Sequence, residues 1–173
     1  MTLIVSGTNR PHSNTLKIAK YYQKILTQKG EQSEILDLST LPESLVHPDA
    51  YLKTYADFKE IQEKVTQAAK FIFIVPEYNG SFPGIMKLFL DACAYPDSFY
   101  EKKVALVGIA TGKYGNIRGI EHLTGICNYM NLHVMPLKLH IPYIHLELDE
   151  NQDLFKPDTL KFTHQQIDKF IHF

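Results

Sequence analysis

FIFIVPEYNGSFPG, residues Phe71–Gly84, joins an unbroken apolar run to a polar loop and then to a helix-like apolar segment. The run Phe71–Val75 is aromatic or β-branched at every position, the composition of a strand covered on both faces. Pro76 ends it. Glu77, Tyr78, Asn79, Gly80 and Ser81 follow as a polar loop, and Pro83 stands near the start of the next helix, where its missing N–H costs nothing. In an open α/β sheet, ligands bind beyond the carboxyl ends of the strands, which gives this loop the address of a binding loop. An ordinary strand-to-helix connection has the same appearance.

The same alternation extends in both directions. Before this stretch, Thr2–Ser6 reads as a short buried strand. Ser13 or Asn14 caps a helix with Leu16, Ala19, Tyr22, Ile25 and Leu26 at helical spacing, ending at Gly30. Ser33–Leu38 is a second strand, Thr40–Tyr55 a long loop holding Pro42 and Pro48, and Asp57–Ala69 a helix with Phe58, Ile61, Val65 and Ala68 on one side. Beyond it come a helix over 82–95, a strand over Lys103–Ala110, a loop over 111–116 and a helix over Ile117–Met130. Leu132–Leu139 is a last strand interrupted by Pro136, His140–Lys156 an irregular surface segment, and Pro157 opens a terminal helix that packs Leu160, Phe162, Ile167, Phe170 and Ile171. Strands alternating with helices at least five times predict one domain over 1–173, with a parallel sheet and helices on both faces.

With 18 Lys and Arg against 19 Asp and Glu among 173 residues, the formal charge of −1 gives no electrostatic reason to expect nucleic acid or a membrane surface as partner. No apolar run approaches the roughly 18 residues of a membrane span. The chain opens on a strand-like run with no export signal, and its two cysteines, Cys93 and Cys127, lie in apolar helical stretches. A cytoplasmic protein with reduced core thiols is expected.

Chemistry belongs to three loops, each following a strand. Ser6–Thr15, SGTNRPHSNT, offers Ser6, Thr8, Ser13, Asn14 and Thr15 as short donors beside a helix N-terminus. There the exposed N–H groups and helix dipole favour an anion, and Arg10 adds a charge-assisted contact; phosphate is the natural guest, and a Ser/Thr-rich turn that merely caps its helix is the alternative. His12 in this loop reads as a solvated turn residue. Neither G-x-x-x-x-G-K-[ST] nor G-x-G-x-x-G follows the first strand, which excludes the two commoner phosphate loops. Pro76–Ser81 is the second loop and Thr111–Arg118, TGKYGNIR, the third. Eight histidines show no metal-ligand spacing, the cysteines form no C-x-x-C, and no G-x-S-x-G is present.

SGTNRPHSNT, VPEYNGSFPGIMK and ATGKYGNIRGIEHL, at matching separations over roughly Thr2–Pro136, resemble the NADPH-dependent FMN reductase family. The resemblance implies a flavodoxin-like three-layer α/β sandwich whose five-stranded parallel sheet runs in the order 2-1-3-4-5. It implies bound FMN, with NADPH or NADH as hydride donor. Thr8, Arg10, Ser13 and Thr15 would hold the phosphate, with Asn14 close by. Pro76, Glu77, Tyr78, Asn79 and Gly80 would lie along the isoalloxazine ring, with Thr111 and Gly112 at its other edge. No catalytic side chain is then required, because the flavin carries the chemistry. A small-molecule acceptor is implied: flavin, quinone, azo compound or metal oxyanion. The apolar helix over 82–95 and the family habit imply a homodimer or tetramer. A flavodoxin-like electron carrier and a non-catalytic FMN-binding protein are the alternatives. His12, the 114–116 segment and Ala92 after Asp91, where a tryptophan is common, depart from the family pattern.

Overall fold

The computed structural model describes residues 1–47 and 56–173. The expected loop Thr40–Tyr55 lies partly outside them; its described part holds a short 3-10 turn at Glu43–Val46, with Leu45 buried in the core.

Strands β1 (Thr2–Ser6), β2 (Ser33–Asp37), β3 (Lys70–Pro76), β4 (Lys103–Ile109), β5 (His133–Val134) and β6 (Leu139–Ile141) form one sheet. Every pairing is parallel, in the order β2-β1-β3-β4-β5, with β6 also on β4. The flavodoxin-like order 2-1-3-4-5 is therefore the observed one. Helices are α1 (Asn14–Gln28), α2 (Lys59–Gln67), α3 (Gly84–Ala92), α4 (Ile117–Tyr129) and α5 (Pro157–His172).

Alternate residues of the central strands feed two cores. Leu3, Val5, Phe71, Phe73, Val75, Val104 and Leu106 pack with α2, α3 and α4. Ile4, Ile72, Ile74, Ala105, Val107 and Ile109 pack with α1 and α5. Both faces of β1, β3 and β4 are thus covered, which is why these strands read as continuous apolar runs. The C-terminal carbonyls of α5 are met by lysines at the feet of two strands: Lys70 Nζ donates to Phe170 O at 3.1 Å and Ile171 O at 2.9 Å, and Lys103 Nζ to Phe173 O at 2.7 Å.

Several boundaries move. Pro76 is the last residue of β3 rather than the residue that stops it. Pro83 is the N-cap of α3, and the helix covers Gly84–Ala92, shorter than 82–95. Phe162 is half-exposed; the buried face of α5 is Thr163, Gln166, Ile167 and Phe170. The fifth strand is broken into β5 and β6. Lys103 lies opposite His133 but Val107 opposite Leu139, so two extra residues intervene on the outer strand, around Pro136. The side chain of Gln166, fully buried, fills the gap: Nε2 donates to Leu106 O at 3.1 Å and Leu137 O at 2.9 Å, while Oε1 accepts from the Tyr22 hydroxyl at 2.7 Å. Pro136 has no N–H to donate to a ladder, and a side-chain amide from another element takes over there.

Candidate functional site

The three strand-end loops meet at one cavity of about 480 Å³, within the range of small-molecule sites. Hydrogen bonds carry the sheet pattern beyond the strands and set the loops side by side. Gly7 N donates to Ile74 O at 2.8 Å, Glu77 N to Ile109 O at 3.0 Å, and Ala110 N to Ile141 O at 3.1 Å. Gly7 is required here, since a Cβ would lie 2.9 Å from Ile74 O.

The first loop turns back into α1 through Ser13, an N-cap in extended conformation whose Oγ accepts from Leu16 N at 3.1 Å. The N–H groups of His12, Ser13, Asn14 and Thr15 have no acceptor among the described residues. They stand at the positive end of α1 and form an anion cradle, with Arg10 and His12 on the same cavity wall. His12, read from sequence as a solvated turn residue, is exposed, and its left-handed backbone (φ 52°) turns the loop.

The second loop is a tight reversal. Tyr78 N donates to Ser81 O at 2.8 Å and Ser81 N to Tyr78 O at 3.1 Å, with Asn79 and Gly80 both at positive φ, 52° and 76°. An Asn-Gly pair suits such a two-residue turn, since both residues accept positive φ. Tyr78 leans on the first loop: its hydroxyl is 2.8 Å from Thr8 Oγ1, and the Arg10 guanidinium lies 5.1 Å from its ring centre.

The third loop contributes Thr111, and Ile109 and Ala110 precede it on the wall. Ile144, from the segment read as irregular surface, is buried and also lines the cavity, held by Ile144 N donating to Ala110 O at 3.0 Å. Of the residues expected at the site, Arg10, Ser13, Asn14, Thr15, Pro76, Glu77, Tyr78, Asn79 and Thr111 line the cavity. Thr8 lies buried behind Tyr78, Gly80 is in the turn, and Gly112 accepts from Tyr143 N at 3.1 Å; none of the three is on the wall. His12, Ile109, Ala110 and Ile144 join it instead.

Behind the third loop, His140 Nδ1 is 3.3 Å from Gly115 O, and burial draws its pKa below the ordinary histidine value despite that bond. Burial pushes the thiol of Cys127 up to about 12 and raises that of Cys93, so both are protonated at neutral pH. No group of metal-ligating side chains is gathered among the described residues, and no helix there is long and apolar enough to cross a membrane.

Residues 1–145 match the family model of the NADPH-dependent FMN reductases. The chain belongs to that family. The fold and cofactors expected from the three motifs, FMN with NAD(P)H, agree with this membership. The chain is 27% identical over 146 residues to a 2-hydroxy-1,4-benzoquinone reductase of a Burkholderia species, covering 79% of this chain and 76% of that one. It is 29% identical over 111 residues to an NAD(P)H-dependent FMN reductase of Pseudomonas aeruginosa, covering 62% of this chain and 59% of the other. Among solved structures, the flavoenzyme NAD(P)H:(acceptor) oxidoreductase FerB from Paracoccus denitrificans superposes with a TM-score of 0.84 at 21% identity, over 99% of this chain and 94% of its own, a likeness in fold.

The donor set fits FMN. A cradle of unpaired N–H groups with an adjacent guanidinium suits a phosphate, and the same cavity continues between the walls 76–79 and 109–111, where a flat ring would lie.

Proposed function

We propose that FMN occupies this cavity and that the chain uses it to oxidise NAD(P)H and reduce a small planar acceptor of the quinone class. The observation that carries the reading is the continuity of the anion cradle at α1 with the slot between the second and third loops. When bound, FMN supplies two-electron hydride chemistry between the nicotinamide and the acceptor. The protein's part is placement. Ser13, Asn14 and Thr15, with their free N–H groups, bind the phosphate, and Arg10 closes over it while stacked on Tyr78. Thr8 fixes Tyr78, and the bond from Glu77 N to Ile109 O sets the spacing of the two loops that flank the ring. Pro76, Ile109, Ala110 and Ile144 exclude water from the inner end, so a reduced ring is shielded on that side.

Donor and acceptor would use the open side of one cavity in turn. The half-covered apolar side of α3, with Ile85, Leu88 and Ala92, supports a homodimer built on that helix, and the lack of disulfides among the described residues supports a cytoplasmic setting. Turnover tests the reading. With FMN loaded, NADPH consumption without oxygen should depend on added 1,4-benzoquinone and give the parallel-line pattern of alternating substrates. Slow or absent NADPH consumption at saturating quinone would instead point to an electron carrier.

A further inference from the structure

We infer that Asn116 is a positioning residue that sets the exit of the 76–81 loop from the sheet, an inference resting on the reading of the cavity as the FMN seat. Asn116 immediately precedes α4, is fully buried, and holds a left-handed conformation at φ 63° and ψ 37°. Its Nδ2 donates to Val75 O at 3.0 Å. That carbonyl belongs to the planar peptide joining Val75 to Pro76, so fixing it fixes the orientation of Pro76, the last residue of β3, from which Glu77 leaves towards the cavity. The residue thus ties the third loop to the second from behind, without reaching the cavity itself.

The surroundings hold the carboxamide in place. A Cβ on Gly119 would lie 2.1 Å from Asn116 Oδ1 and 2.7 Å from the carbonyl carbon of Ser81. The first turn of α4 therefore touches both Asn116 and the far end of the loop. Further along α4, His122 Nδ1 lies 3.0 Å from Ser81 Oγ. The loop is held at its entry by Asn116 and at its exit by α4. A glycine would adopt the left-handed backbone at 116 without burying a polar side chain. Asparagine instead buries Oδ1 without a partner among the described residues, a penalty that the bond to Val75 O offsets.

The test compares wild type with Asn116→Gly, which keeps the backbone conformation, and Asn116→Asp, which keeps the shape and, measured at a pH where its carboxyl is ionised, has no hydrogen to donate. Amide hydrogen exchange in the protein freed of flavin reports on the Glu77 and Tyr78 N–H groups, which donate to Ile109 O and Ser81 O. Both variants should speed exchange at these two amides by about fivefold or more, the factor expected for one ordinary hydrogen bond, with β1 amides unchanged. In the loaded protein both should move the visible flavin band and weaken FMN. Exchange at wild-type rates in either folded variant, or a flavin band and affinity like wild type in both, overturns the inference. Wild-type protein that binds no FMN would overturn the cavity reading instead, and the exchange comparison would still judge the clamp.

Discussion

Thr8 Oγ1 and the Tyr78 hydroxyl lie 2.8 Å apart, joining the loop after β1 to the loop after β3 across 70 residues of sequence. Thr8 is fully buried and also accepts from Arg10 N at 3.3 Å, so the pair connects the anion cradle to the wall along which the ring would lie. Tyr78→Phe keeps the ring under Arg10 and removes only the hydroxyl. The expected cost is about 1 kcal/mol, or roughly 2–4 °C in Tm for a chain of this size, with FMN affinity down severalfold. Thermal denaturation and flavin titration check it.

Arg10 distinguishes a phosphate cradle from a capped turn. Arg10→Ala should weaken FMN by about 10- to 100-fold, the range for losing one charge-assisted hydrogen bond, and leave riboflavin, which lacks the phosphate, nearly unaffected. Equal losses for the two ligands would place Arg10 on the ring side of the cavity. Fluorescence quenching of each flavin by the variant supplies the comparison.

Gly108 lies where β4 passes beneath the third loop. A Cβ there would sit 2.4 Å from Gly115 O and 2.8 Å from Ile120 Cγ1, and the first of these is backbone that cannot swing aside. Gly108→Ala should cost about 1–3 kcal/mol by overpacking, read as a lower urea midpoint with an unchanged slope.

His140 gives stability a pH dependence. Burial is the main cause of its lowered pKa, opposed by the Gly115 carbonyl and by Glu121, while Lys138 adds to the lowering. The folded protein therefore resists a proton that the unfolded chain accepts near the ordinary value of about 6.5. Stability is complete above that pH and declines as pH falls through it towards the folded value, because the unfolded state binds more protons. His140→Gln should flatten this decline. Urea midpoints of both proteins between about pH 5 and 8 measure the difference.

Local signals gave the layered part of this molecule. The unbroken runs of β3 and β4 announced strands buried on both faces, the Ser13-Asn14 pair marked the start of α1, where Ser13 proves to be the cap, and Gly30, at φ 80°, its end. Most of the cavity wall was legible because loops after parallel strands converge by geometry. What escaped depends on residues distant in sequence. Pro136 showed that the last strand was interrupted, but nothing nearby showed that Gln166 of α5 would fill the gap. Ile144 reaches the cavity only because β6 resumes beside β4 and aims the chain back at Ala110. Phe162, expected in the core, stays half-exposed while Gln166 is buried, because α5 packs on a broken edge with polar groups to satisfy, and this favours an amide there.

The most direct measurement is the visible spectrum of the purified protein, incubated with FMN and cleared of excess, before and after NADPH in the absence of oxygen. A flavin band at about one FMN per chain, bleached by NADPH and restored by an added quinone, is the expected result. A protein that retains no flavin, or a retained band that NADPH leaves unchanged, would contradict it.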